Sequence, residues 1–284
     1  MLRVAIGCLA LVVTSLLASA QTPSDSRMAR ITDTKTVKLG YRAAAAPFSF
    51  LNDKREPVGY VVDLCKLVVE GIGQTIGAPL KIEWVEVTTQ NRFQAVASGQ
   101  ADMECGSSTI TLSRLKEVDF SSVVFVESTG LVVKGNAGIA KASDLEGKKI
   151  AVAAGTSNES ALAEQIKVGR LKATLMPVKD REEGIAALEK GAADAYASDK
   201  LLLMGATYAD PKALTMLPDD LSFEPYAIVL PRGDWALRAA VNTALADVFR
   251  SGKILTVFDS WFAQIGMRPG LMLIGAFNLG ALPP

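Results

Sequence analysis

Helical and strand-like hydrophobic patterns alternate along this chain, which predicts an α/β protein with mainly parallel sheets. A repeated unit predicts that the protein has two lobes. FQAVASGQADMECGS (93–107) and IAALEKGAADAYASD (185–199) each read as a short Ala-rich helix, a Gly stop, an Ala-Asp step and a strand. Gly99 matches Gly191, Asp102 matches Asp194 and Ser107 matches Asp199, all at one offset. Two helix–Gly–strand elements can look alike by chance. A single offset shared by three features favours two lobes built on related units.

The elements follow in order. Thr36–Gly40 reads as a strand, with a loop running through Pro47. A helix over about 61–76 carries Leu64, Val68 and Ile72 at helical spacing. Lys81–Val87 is a strand, and Asn91–Ser98 a helix ended by Gly99, a residue suited to the position after a helix. Ala101–Gly106 is the next strand. In the second half, Lys149–Ala153 is a strand and Gly155 permits a tight turn. Thr156 and Glu159 then fit a capping box at a helix start. Free backbone N–H groups and the dipole at that end favour an anion, although a capped helix needs no ligand. Open α/β sheets bind ligands at the carboxyl ends of their strands. Ser107 from one lobe and Asp199 from the other are therefore expected to face the same ligand.

Residues 1–20 read as a signal peptide. Arg3 is its positive start, Val4 to Leu17 its apolar stretch, and Ala18-Ser19-Ala20 a small-residue cleavage site. The apolar run is too short for a spanning helix. The expectation is an exported, soluble chain that begins at Gln21. Losing Arg3 reduces the 30 basic residues to 29, against 30 acidic. That balance gives no electrostatic case for nucleic acid or for an anionic membrane surface. The remaining length suits two ordinary domains. No histidine occurs, which removes the commonest general base and metal ligand. No cofactor is expected.

Cys65 and Cys105 remain after the signal is lost. Cys65 shares a helical face with Val69, Ile72 and Ile76, and Cys105 lies in a short apolar strand. In an oxidising compartment such a pair can form a disulfide, and two buried thiols are the alternative.

The most informative stretch is ECGSSTITLSR (104–114). A buried strand opens into a loop of small hydroxyls, and Arg114 follows. A guanidinium offers a planar fork that meets both oxygens of a carboxylate. Alone, such a segment is an ordinary loop with a surface arginine.

Four strings carry a family likeness: GYRAAAAPFSF (40–50), VGYVVDLCK (58–66), VTTQNRFQAVASGQADMECGSSTITLSRLKEVDFS (87–121) and DLEGKKIAVAAGTSNES (144–160). The chain resembles the periplasmic solute-binding proteins of polar amino-acid ABC transporters, and the glutamate/aspartate-binding subgroup in particular. The likeness runs from about Val37 to about Ile265. It implies the type II fold, two α/β lobes joined by two crossing hinge strands near Phe125–Ser128 and Phe223–Tyr226. Lobe one would be 33–126 plus 226–267, lobe two 127–225, and 268–284 a C-terminal extension. It also implies a monomer that closes on an acidic amino acid and docks on an inner-membrane ABC permease in the periplasm.

By the same resemblance, Arg114 clamps the α-carboxylate. Ser107 and Thr109 supply loop groups to the ammonium and carboxylate, and Thr156 a donor from lobe two. Asp199 holds the α-ammonium. Arg42 and Arg92 reach the side-chain carboxylate. Thr89 stands where the subgroup often has Ser, and Arg181 where a related type has His, which leaves the choice between glutamate and aspartate open. The charge count agrees with a dicarboxylate: several arginines oppose one aspartate, whereas a cationic ligand would want extra acids. Glu104 reads as a possible partner for one of the arginines, and Phe48 and Phe50 as core or cleft residues.

Two rival readings use the same fold. One is an exported enzyme, such as a cyclohexadienyl dehydratase-like protein. Without His it would need Glu, Asp, Lys or Tyr as acid or base, and no nucleophile–base pair is visible. The other is an amino-acid sensor subunit. The apolar end LMLIGAFNLGALPP (271–284) is too short to span a bilayer and reads as a strap packed on a lobe or a disordered end.

Overall fold

A computed structural model describes residues 26–209 and 213–283; the expected signal segment lies outside the described residues. Two five-stranded sheets carry the fold. The first runs Lys81–Val87, Thr36–Arg42, Met103–Glu104, Val229–Pro231, Val118–Phe120. The second runs Thr174–Val178, Lys149–Ala153, Ala195–Asp199, Thr129–Lys134, Leu214–Met216. In both, the first three strands are parallel and the last two pair antiparallel. The sheets are thus mixed rather than mainly parallel. The reason is the route of the chain. Strands followed by helices run toward the cleft, whereas Thr129–Lys134 and Val229–Pro231 start beside the crossing and run away from it.

Between the sheets, Phe125–Glu127 and Glu224–Tyr226 pair antiparallel, with Glu224 opposite Glu127. Their apolar residues anchor them in one core. Phe125 and Tyr226 are fully buried with Phe48, Tyr60, Phe258 and Phe262, and Phe48 lies 4.9 Å from Phe125 and 5.1 Å from Tyr226, ring to ring. Tyr60 donates its hydroxyl to the Val124 carbonyl at 2.8 Å. Phe50, half-buried, packs edge-on against Trp261 instead.

The sequence repeat is a structural repeat. The Lys38 amide donates to the Asp102 carboxylate at 2.7 Å, and the Asp102 amide donates back to the Lys38 carbonyl at 2.8 Å. Lys149 and Asp194 make the same pair of bonds at 2.8 and 2.9 Å. Gly99 and Gly191, at matching helix ends, both have positive φ, 85° and 73°. An L side chain is strained there, which explains the glycines. These aspartate side chains take over ladder donors at the strand start. Asp102 thus stands before the regular strand, which is Met103–Glu104, shorter than the expected 101–106 because the chain bends at Gly106; in the second lobe the same device precedes the longer strand Ala195–Asp199.

Cys65, on the helix Tyr60–Ile76, and Cys105, beside the strand Met103–Glu104, are joined in a disulfide with Cα atoms 6.3 Å apart. The C-terminal stretch is a strap packed on the first lobe, helical in form, and not a disordered end. Leu271–Gly280 is a helix that buries Leu273 and Phe277, and Phe277 stacks on Phe249 at 5.5 Å. Its near-continuous apolarity hides any helical period, so sequence pattern could not reveal it.

Candidate functional site

The carboxyl ends of strands from both sheets meet around a cavity of about 180 Å³. Thr36–Arg42 ends in Arg42. The loop after Lys81–Val87 brings Thr89, and the helix Arg92–Ser98 begins with Arg92. Gly106 lets the chain turn into Ser107: a Cβ there would meet the Glu104 side chain at 2.1 Å. From the other sheet come Thr156, Ser157 and Asn158 at a helix start, Arg181 at another, and Tyr196, Ser198 and Asp199 from Ala195–Asp199. Seven of the nine expected residues, Arg42, Thr89, Arg92, Ser107, Thr156, Arg181 and Asp199, line this cavity. Thr109 and Arg114 line an adjoining cavity of about 450 Å³, which shares Thr156 and Ser157 with the first.

The helix start behaves as its sequence predicts. Thr156 is the N-cap of Ser157–Lys167 and accepts from the Glu159 amide at 3.2 Å. Glu159 reaches back to the Gly155 amide at 2.8 Å, one residue earlier than a standard capping box. Among the described residues, two direct bonds cross the cleft. The Thr109 and Ser157 hydroxyls lie 3.1 Å apart, and the Gln90 side-chain amide donates to the Lys179 carbonyl at 2.7 Å.

The arginines are bonded to neutral oxygens. Arg42 donates to the Thr89 hydroxyl at 2.7 Å, Arg92 to the Ser107 carbonyl at 3.1 Å, Arg114 to the Thr109 carbonyl at 2.8 Å and Arg181 to the Leu202 carbonyl at 3.1 Å. None of the four joins an ion pair among the described residues. Arg92 is only 3 % exposed, and its Nε has no partner. Arg92 and Arg114 both lie 4.8 Å from the centre of the Phe93 ring. Burial, and then the charge of Arg92, lowers both Arg42 and Arg114 to about 10. Arginine resists such lowering, so these are cations held away from water and against one another.

Opposite them sits Asp199, 5 % exposed, with an unpartnered Oδ1. Burial raises its pKa to about 6, and the charge of Glu224 adds to the rise. Behind it is a polar cluster that sequence reading missed. Thr129 donates to Asn158 Oδ1 at 2.6 Å, and the Ser222 hydroxyl donates to Glu224 at 2.6 Å. Glu127, on the first crossing strand, accepts from the Ser128 and Leu201 amides at 2.6 and 2.8 Å. Burial, and then the charge of Asp199, raises Glu127 to about 8. The sequence signal for Glu127 and Glu224 was an acid inside each expected crossing segment. Glu104 does not reach an arginine: it accepts from the Ser108 hydroxyl at 2.7 Å, because the strand turns at Gly106 and carries Ser108 back over it.

A two-lobed α/β protein whose cleft gathers arginines outside any ion pair opposite a buried aspartate with a free oxygen belongs to the class of small-molecule binding proteins. The family model for bacterial extracellular solute-binding proteins, family 3, matches residues 37–264, and the chain belongs to that family. It is 34 % identical to the L-glutamate/L-aspartate-binding protein of Pseudomonas aeruginosa, over 96 % of this chain and 92 % of that one. It is 30 % identical to the glutamate/aspartate import solute-binding protein of Salmonella typhimurium, over 84 % of this chain and 80 % of that one. Among solved structures it matches an ancestral amino-acid-binding protein described as a precursor of cyclohexadienyl dehydratase, with a TM-score of 0.71, 28 % identity, and coverage of 84 % and 99 %. These relatives are binding proteins, and this chain, by its family, is a solute-binding protein rather than an enzyme.

Proposed function

We propose that this protein binds L-glutamate or L-aspartate between its lobes and hands it to an ABC permease outside the cytoplasm. The observation that carries this reading is the charge arrangement: buried Arg92 and half-buried Arg42 and Arg114 form no ion pair among the described residues, while buried Asp199, across the cleft, has a free oxygen. Burying a charge without a partner costs far more than burying a pair. A ligand with two carboxylates and one ammonium supplies the missing partners. In this reading Arg114, Thr109 and Thr156 hold the α-carboxylate, Asp199 and Ser107 the ammonium, and Arg42, Arg92, Thr89 and Arg181 the side-chain carboxylate. Buried Glu104 and Glu224 lie near these cations and offset part of their charge, but neither forms an ion pair with them among the described residues. Asp180 caps its own helix through the Glu183 amide, and Glu182 is exposed. The names of the two binding-protein relatives support the same ligand class.

The test is thermal shift and calorimetry on protein refolded after unfolding, to strip carried ligand. A ligand at about a hundred times its Kd stabilises by roughly 2.7 kcal/mol. A response confined to L-glutamate and L-aspartate is expected. A response to neutral or basic amino acids alone would overturn the acidic-ligand assignment.

A further inference from the structure

Glu224 is buried, 2 % exposed, and only one of its oxygens is used. Oε1 accepts from Ser222 at 2.6 Å and from Thr129 at 3.4 Å. Oε2 has no partner among the described residues. Glu224 lines the same adjoining cavity as Arg114, together with Thr109, Ser157 and Ser222. Asp199, whose Oδ1 is also unpartnered, lines the first cavity. The two cavities meet at Thr156 and Ser157. Thr129 ties the two acids together: it faces Asp199 in the strand pairing, and its hydroxyl, which donates to Asn158, lies 3.4 Å from Glu224.

The two buried carboxylates are near enough that the charge of Glu224 raises Asp199, so they repel one another, and a neutral donor would satisfy geometry without relieving the repulsion. A primary ammonium brings three N–H donors and one positive charge. It can donate to both free oxygens at once, between the arginines that take the ligand's carboxylates. Building on the amino-acid reading above, we infer that Glu224 is a second ammonium-recognising carboxylate, and that with Asp199 it restricts this site to ligands carrying a free primary amine. Des-amino diacids of the same length are rejected because they leave two buried anions facing each other. The placement of Glu224 on a crossing strand adds a consequence: the ammonium is read partly by the segment about which the lobes move.

The test compares L-glutamate, glutarate and L-glutamine by calorimetry on wild type and Glu224→Gln. The amide keeps an acceptor for Ser222 and replaces the charged oxygen with a donor. Glutamate affinity should fall about ten- to a hundredfold, the loss of a charge-assisted bond. Glutarate should bind as weakly as before or more tightly, so the discrimination between the two shrinks. An equal loss for both ligands, or no loss for glutamate, would overturn the inference. Wild type that binds glutamine but not glutamate would sink the acidic-ligand reading, and the inference would then fall if Glu224→Gln left glutamine affinity unchanged. Wild type silent to all three overturns both. A crystal structure of the wild-type complex reads the same point without a variant: the ligand nitrogen is expected at about 2.7–3.2 Å from oxygens of both Asp199 and Glu224. A nitrogen bonded to Asp199 alone would refute it.

Discussion

The Gln90 side chain donates to the Lys179 carbonyl at 2.7 Å, joining a loop of the first lobe to a loop of the second. Because the bond spans the two lobes it would be lost as they separate, and Gln90 does not line either cleft cavity. Its contribution therefore enters the open–closed equilibrium and not ligand contact. An exposed hydrogen bond contributes about 1 kcal/mol. Gln90→Ala should weaken glutamate, aspartate and any other ligand by one common factor of about five, read as Kd by calorimetry. A loss confined to one ligand would mean that Gln90 touches it.

The unpaired arginines set function against stability. Arg42 is held at about 10 by burial and by Arg92, a desolvated cation with a like charge beside it. Arg42→Met removes that repulsion while keeping much of the stem's packing. The unliganded variant should melt higher than wild type and lose its thermal response to acidic amino acids. Arg114→Ala should reduce affinity for every amino acid by at least a hundredfold, because a buried carboxylate would lose its partner. An unliganded Arg42→Met that melts lower than wild type would show that the arginines are structurally satisfied.

The sequence made the α/β class, the repeat and most strand positions legible because each has a local cause. Periodicity marks Lys81–Val87 and Lys149–Ala153, and Gly99 and Gly191 mark helix ends that only positive φ allows. Seven of the nine candidate site residues reach the main cavity because strand ends and helix starts deliver them there. Three things were not legible. The partner of Glu104 depends on the turn at Gly106, which no pattern announces. The Glu127–Asp199–Glu224 cluster forms where strands distant in sequence meet. The helix Leu271–Gly280 lacks polar residues to mark a face, so its amphipathicity is invisible until Leu273 and Phe277 are seen buried.

The Cys65–Cys105 disulfide ties the helix Tyr60–Ile76 to the chain just before Ser107. The cysteines are 40 residues apart. A loop of that length, closed in the unfolded chain, corresponds to roughly 4 kcal/mol. The double variant Cys65→Ala/Cys105→Ala should lower the unfolding free energy read from urea titration by that order, and reducing agent should do the same to wild type. Affinity should change little if Gly106 and Ser107 keep their path. A large loss of affinity with small loss of stability would mean that the bridge chiefly positions the loop.

The pH dependence of stability should run opposite to that of ordinary carboxylates. Asp199 titrates near 6 in the folded protein, against 3.8 as its ordinary value, and Glu127 near 8, against 4.5. Both are raised first by burial. Between the ordinary and folded values the native state holds more protons than the unfolded chain, so stability falls as pH rises. Asp199 acts between about pH 4 and 6, and Glu127 between about pH 4.5 and 8. The unliganded protein should lose thermal stability steadily across this window. Glu127→Gln should flatten the upper part, and Asp199→Asn the lower part. Bound glutamate reverses the lower part: its ammonium favours ionised Asp199, so binding near pH 6 releases a proton and affinity weakens as pH drops further. Melting curves with and without glutamate from pH 4.5 to 8 check each step. Parallel curves that rise together with pH would show that these carboxylates are solvated or already paired.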